Sequence, residues 1–160
     1  MRYIEAYANG NCNGFPYASL EICGECLKVY NNGNCNGIHV WSMRKNSREC
    51  FVYQQPGMNG IPCNYFKYGS RGVEFYPNGN GGGIPTCYFK FRGSSAVEFY
   101  PNGNGGGIPT KYFEKRGSRI LFYNNGNGNG FPEYSFDKVN DIREVIEWAY
   151  YLYITGKTPR

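Results

Sequence analysis

One phrase occurs six times in these 160 residues. It runs apolar-x-apolar-Tyr, then a Gly/Asn tract, then Gly-(Ile/Phe)-Pro, with His39 in place of one proline. Its tyrosines are Tyr7, Tyr30, Tyr53, Tyr76, Tyr100 and Tyr123, spaced 23 residues apart except for 24 between Tyr76 and Tyr100. So regular a period means one supersecondary unit stacked on copies of itself, each burying its apolar face against its neighbours. By length the chain is one domain. Residues 1–136 carry the repeats, and residues 137–160 form a tail of different character.

Residues 96–118 show the unit. Val97 and Phe99 alternate with Glu98 and Tyr100, which is strand periodicity. Pro101 to Gly107 is a loop, since Gly and Asn supply turn backbone. Ile108 to Glu114 forms a second strand that tolerates Pro109 at its start, and Arg116-Gly117-Ser118 turns the chain. Across the copies, Ile4, Leu27, Cys50, Val73, Val97 and Ile120 share a face with Ala6, Val29, Val52, Phe75, Phe99 and Phe122, which predicts the buried face. Leu20, Met43, Phe66, Phe89, Phe113 and Phe136 form a matching ladder on the second strand. The expected fold is mainly β: six antiparallel hairpins in one elongated sheet, with a β-solenoid as the alternative. Val139, Ile142, Ile146, Ala149 and Tyr153 recur at helical spacing, so a C-terminal helix is expected. Asp137 or Asn140 would cap it, Gly156 and Pro159 would stop it, and it would cover the open end or one face of the sheet.

This layout resembles the MORN repeat family, in which an aromatic strand, an Asn-Gly turn, further glycines, an aromatic second strand and a closing Gly recur. Glu98-Phe99, Asn102-Gly103, Gly107, Tyr112 and Gly117 fall near those places, as do Glu74-Phe75, Asn78-Gly79, Gly83, Tyr88 and Gly93. The resemblance spans residues 4–136. Here a proline stands where the family has its second Gly before the second strand, and the Asn-Gly turn comes one residue late. The resemblance implies an elongated sheet that scaffolds other proteins and sometimes touches lipid headgroups.

Little points to catalysis. His39 is the only histidine, and no Ser or Asp motif accompanies it. Cys23-Gly24-Glu25-Cys26 is a lone Cys-x-x-Cys, whereas a zinc site commonly uses two such pairs, so Cys23 and Cys26 are weak metal candidates and otherwise belong to a turn. Glu74 and Glu98 are repeat equivalents, as expected of a solvated column. Gly79-Asn80-Gly81-Gly82-Gly83 leads into an Ile-Pro strand and not into the helix that a phosphate loop requires. No cofactor is expected. Seven cysteines, with no signal segment or apolar span, predict an intracellular, cytoplasmic protein with reduced thiols.

The remaining candidates are surfaces. The tyrosine column, with Tyr53, Tyr76, Tyr100 and Tyr123 at its centre, is either a stripe of amphipathic rings for a partner or a brace under the glycine loops. Lys67, Arg71, Lys90, Arg92, Lys111 and Arg116 form a basic edge in a chain of net charge +5. Together these predict a non-enzymatic interaction module (an adaptor, scaffold or small inhibitor) for a partner protein with an acidic surface. Single-stranded nucleic acid or glycan on the aromatic stripe is the second expectation, and self-association through repeat edges the third. Contact with a membrane surface is not expected.

Overall fold

The structure, a computed structural model, describes residues 2–58 and 60–155. Each repeat supplies two strands. In chain order they are β1 (Arg2–Tyr7), β2 (Ala18–Cys23), β3 (Cys26–Tyr30), β4 (Trp41–Lys45), β5 (Glu49–Tyr53), β6 (Asn64–Tyr68), β7 (Gly72–Tyr76), β8 (Cys87–Arg92), β9 (Ala96–Tyr100), β10 (Lys111–Arg116), β11 (Arg119–Tyr123) and β12 (Tyr134–Asp137). Consecutive strands pair antiparallel as hairpins. β1 then pairs with β12, through Glu5–Asp137, Ala6–Phe136 and Tyr7–Ser135, and the sheet closes into a barrel.

The expected strand–loop–strand–turn unit is therefore present, but two architectural expectations are corrected. The sheet is closed, not elongated, because the hydrogen-bonded register returns to the first strand. The solenoid alternative would stack parallel coils, whereas the strands here pair antiparallel. Among the described residues, closure leaves every strand paired on both sides.

All three apolar columns point inward, and none of their eighteen residues is more than 5% exposed. Cross-strand ring pairs Phe66–Phe75, Phe89–Phe99 and Phe113–Phe122 sit 5.0–5.1 Å apart along the wall. This places the apolar face inside, the reverse of the alternation in a barrel that faces lipid. Among the described residues no helix is long and apolar enough to cross a membrane.

Eight strands make a barrel that its own side chains can fill; twelve make a wider one. With strands about 4.8 Å apart and tilted by about 40°, the radius is about 12 Å. Wall side chains occupy about 5 Å of that, leaving a channel about as wide as an α-helix with its side chains. The C-terminal segment fills it. A 3₁₀ turn (Ile142–Glu144) leads into α1 (Ile146–Ala149) and then a π-helical turn (Tyr150–Ile154). Tyr150 packs on Phe66, Phe75 and Phe89. Tyr153 meets Tyr134, Phe122 and Phe136 across the lumen. Trp148 lies against Phe136, and Tyr151 against Trp41. Every residue from Val145 to Ala149 is buried. The helix is thus surrounded, which corrects the expectation of an amphipathic helix laid over one end or face. Neither Asp137 nor Asn140 caps the segment: Asp141 caps the leading 3₁₀ turn, its side chain accepting from the Arg143 amide while the Glu144 carboxylate accepts from the Asp141 amide, and α1 itself starts from Val145. The expected stops, Gly156 and Pro159, lie outside the described residues.

Polar anchors fix the helix in depth. Glu147 is 1% exposed and pairs with Lys45 Nζ at 2.7 Å, and the Tyr68 hydroxyl donates to it. The Tyr151 hydroxyl donates to Asn64. Near the barrel mouth Arg2 grips Glu144 with two bonds of 2.6 and 2.8 Å.

Truncating Trp148 to Ala should cost about 3–5 kcal/mol, because a large buried ring leaves a cavity in the centre of the lumen. Urea unfolding measures this, and a loss under about 1 kcal/mol would be incompatible with a filled lumen. Burial pushes the Glu144 carboxyl up, but the Arg2 hydrogen bond and the Asn140 and Asp141 amides outweigh it and hold the pKa below the ordinary value. Ionised Glu144 therefore stabilises the fold above its unfolded pKa of about 4.3, and that contribution is lost as pH falls through the lower folded value. Urea midpoints between pH 7 and pH 3 should fall more steeply for the native chain than for Arg2→Gln.

Candidate functional site

The two rims of the barrel differ in chemistry. Six loops (residues 8–17, 31–40, 54–63, 77–86, 101–110 and 124–133) join odd strands to even ones at one end, and they contain a single charged residue, Glu133. Short turns occupy the other end. From β4 to β11 these turns and their flanks carry Arg44, Lys45, Arg48, Lys67, Arg71, Lys90, Arg92, Lys115, Arg116 and Arg119, against Glu49, Glu74, Glu98 and Glu114.

Five of the six predicted basic residues, Lys67, Arg71, Lys90, Arg92 and Arg116, gather at the short-turn rim. Lys111 does not: it starts β10 at the loop end and donates to Asn124. Arg48, Lys67, Arg71, Arg92 and Arg116 are exposed, whereas the four carboxylates are half-buried. Those carboxylates are also engaged. Glu98 pairs with Arg92 at 2.7 Å and Glu114 with Arg116 at 2.6 Å. Glu49 accepts from the Tyr65 hydroxyl at 2.6 Å, a bond that holds the Glu49 carboxyl below its usual range, while burial and Glu49 push Tyr65 up to about 12. Glu74 and Glu98 stand opposite Lys67 and Lys90 in register, as members of a solvated column. Among the described residues neither Arg48, Arg71 nor Arg143 forms an ion pair with a carboxylate.

A cavity of about 280 Å³ opens on this rim. Lys45, Asn46 and Ser47 form one wall, Tyr68 and Gly69 another, and Val73, Phe91 and Ile146 the apolar floor. Arg143 stands over the Phe91 ring at 4.5 Å, where the chain dives into the lumen. The site is a positively charged notch with an apolar base.

The tyrosine column is placed differently from a contact stripe. Tyr30, Tyr53, Tyr76, Tyr100 and Tyr123 lie on the outer face, yet each is at most 8% exposed. Tyr76 packs against Tyr65 and Tyr123 against Tyr112, with ring centres 5.9 and 6.2 Å apart. Tyr76 and Tyr100 donate to Glu74 and Glu98, and their pKa values are raised by burial first and by those carboxylates second. These five brace the loop bases and present almost no area to a partner, while Tyr7, the first of the column, is half-buried.

What lies above it is a size-matched pairing. In three places the residue facing the column Tyr across the strand pair is itself a tyrosine, Tyr65, Tyr88 or Tyr112, and the loop residue over that ring is Gly81, Gly105 or Gly128. A Cβ at Gly105 would meet the Tyr88 ring at 2.8 Å. In the other three places the strand residue is Ser19, Ser42 or Ser135, and the loop residue is Cys35, Met58 or Cys12. There the serine hydroxyl accepts the loop amide at 2.9–3.0 Å. Bulk is thus present on the strand or on the loop, never on both.

The loops are also clamped internally. Asn102 accepts from the Gly106 amide at 3.0 Å and donates to its carbonyl at 2.6 Å, and Asn9, Asn78 and Asn125 repeat the motif. Each of the six loops, the four clamped ones included, ends in an apolar tip that sequence reasoning passed over. Phe15, Ile38, Ile61, Ile84, Ile108 and Phe131 are 80–96% exposed. The expected second strand from Ile108 is corrected here, since β10 starts at Lys111 and leaves Ile108 in the loop; the available signal was that each tip directly follows a glycine.

His39 is half-buried edge-on to Tyr30, with its pKa lowered by burial and by Lys28. Cys23 and Cys26 face one another across a two-residue turn. Among the described residues no group of three or more His, Cys, Asp or Glu side chains is placed to hold a metal ion. No protein-family model, curated protein or solved structure matches the chain.

Gly105→Cys alone should destabilise by about 2–4 kcal/mol through overpacking against Tyr88 and an unfavourable backbone region. Combining it with Tyr88→Ser should cost at least about 1 kcal/mol less than the sum of the two single losses, as measured in a double-mutant cycle. Simple additivity would refute the size matching.

Proposed function

We propose that this protein is a non-enzymatic interaction module whose short-turn rim docks an acidic segment of a partner protein. The observation that carries the proposal is the segregation of charge: Arg48, Arg71 and Arg143, exposed and, among the described residues, without an ion pair, stand at the end that holds a preformed notch, and almost no charge lies at the other. Electrostatic complementarity of this kind steers encounter and selects partners. A carboxylate entering the notch would meet Arg143 and the Asn46–Ser47 turn, while an adjacent apolar side chain would rest on Val73 and Phe91. Arginine suits such a role because its planar fork matches a carboxylate.

The resemblance of the repeat unit to MORN proteins supports the same class of role, a rigid platform that holds another protein. An adaptor or small inhibitor fits a module of this size, and an intracellular setting, where its seven thiols stay reduced, belongs to the proposal. The nucleic-acid or glycan alternative relied on exposed aromatic rings, and the burial of the tyrosine column removes its main support.

The test uses a fluorescein-labelled poly-glutamate peptide as the acidic probe, titrated by anisotropy. Binding should weaken about tenfold or more between 50 and 300 mM salt and in an Arg48→Glu/Arg71→Glu double variant that unfolds at the native midpoint. No binding, or binding unchanged in the variant, would overturn the proposal. A single-stranded oligonucleotide bound more tightly than the peptide would replace the acidic protein with nucleic acid.

A further inference from the structure

We infer that the loop rim is a self-association surface, on which a second copy of this chain docks crown to crown. Six large apolar side chains, one from each repeat, stand 80–96% exposed around this rim. A monomer rarely leaves so much apolar surface to water. At on the order of 150 Å² apiece they expose roughly 900 Å² together, close to the about 800 Å² per partner of a standard stable interface.

Three features favour a copy of the same chain over another occupant. The first is shape. Two strands separate neighbouring tips, so the tips recur about every 12 Å around the ring. Each gap is about one side chain wide, and an identical crown turned by half a repeat places its tips in those gaps. The second is charge. The chain carries +5, yet the six loops hold only Glu133, so two copies meet through their uncharged ends with their basic rims at opposite poles. The third is rigidity. The asparagine clamps hold four of the six tips, Phe15, Ile84, Ile108 and Phe131, before association, so little ordering of these is needed on contact. The contact is isologous, so it closes at two copies and does not propagate. It does not depend on what the basic rim binds, and its consequence is a two-headed particle that can engage two acidic partners at once.

Sedimentation equilibrium of the full chain tests this, beside Ile84→Asn/Ile108→Asn and Phe15→Asn/Phe131→Asn. These positions face solvent, so each variant should keep the native unfolding midpoint. The native chain should be dimeric at micromolar concentration in both 0.15 and 1 M salt, because the contact is apolar. Each double variant should dissociate at least 100-fold more readily. Small-angle scattering should fit two barrels stacked on a common axis, with the height of one barrel doubled and its cross-section unchanged, as end-to-end docking requires. A native chain that stays monomeric to 100 µM overturns the inference, as does a dimer that both crown variants leave intact or a side-by-side scattering profile. Flotation of a monomeric chain with phosphatidylcholine vesicles, abolished by the crown substitutions, would also overturn it and make the crown a lipid contact.

Discussion

Everything in this molecule is arranged around the filling of its lumen. Twelve strands enclose more space than their inward side chains can occupy, and an unfilled channel would leave the apolar columns facing water or a void. α1 and its π-helical extension supply the missing volume. Tyr150, Tyr153, Trp148 and Tyr151 reach in different directions to meet walls formed by β4, β6, β7, β8, β11 and β12. Wide aromatic rings suit this position, since each bridges from the helix axis to the sheet. The buried Glu147, held by Lys45 and Tyr68, sets how far the helix enters. A charge so deep is tolerated because its oxygens are satisfied; without its partners it would be strongly destabilising.

The local unit was legible because the strand period is two and the loops are marked by Gly and Asn. All three apolar columns assigned from alternation alone, ending at Ile120, Phe122 and Phe136, lie inside the barrel. Closure was not legible. Whether six hairpins lie flat or curl until the first meets the last depends on twist and register accumulated over twelve strands, and no single repeat encodes that sum. The helix was misplaced for the same reason. The apolar positions Val139 to Tyr153 suggest a one-sided stripe when a flat sheet is assumed. Trp148, Tyr151 and Leu152 complete an all-round apolar surface only once a lumen exists to receive it.

The candidate site divided along similar lines. Five of the six basic residues gather at one rim because turn residues lie together in any hairpin architecture, whereas Lys111, at the start of β10, falls at the loop end. The tyrosines were ambiguous because the outer face of a strand is normally wet, and here the loops fold back over it. That cover depends on pairings such as Tyr88 with Gly105 and Ser19 with Cys35, which lie in adjacent repeats and are invisible when each repeat is considered separately. The resulting particle is polar along its axis: charge and a notch at one end, apolar tips on stiff uncharged loops at the other.

The closed register between β1 and β12 also constrains how such a chain can change over time. An open repeat array lengthens or shortens by whole units, each addition extending the stack without disturbing the rest. Here a lost unit would narrow the ring until α1 no longer fits, and a gained one would open a gap around it. The helix thus acts as a gauge that accepts a single ring size. Variation is confined to substitution within repeats, and the tips, turns and notch can diversify while the number of units stays fixed.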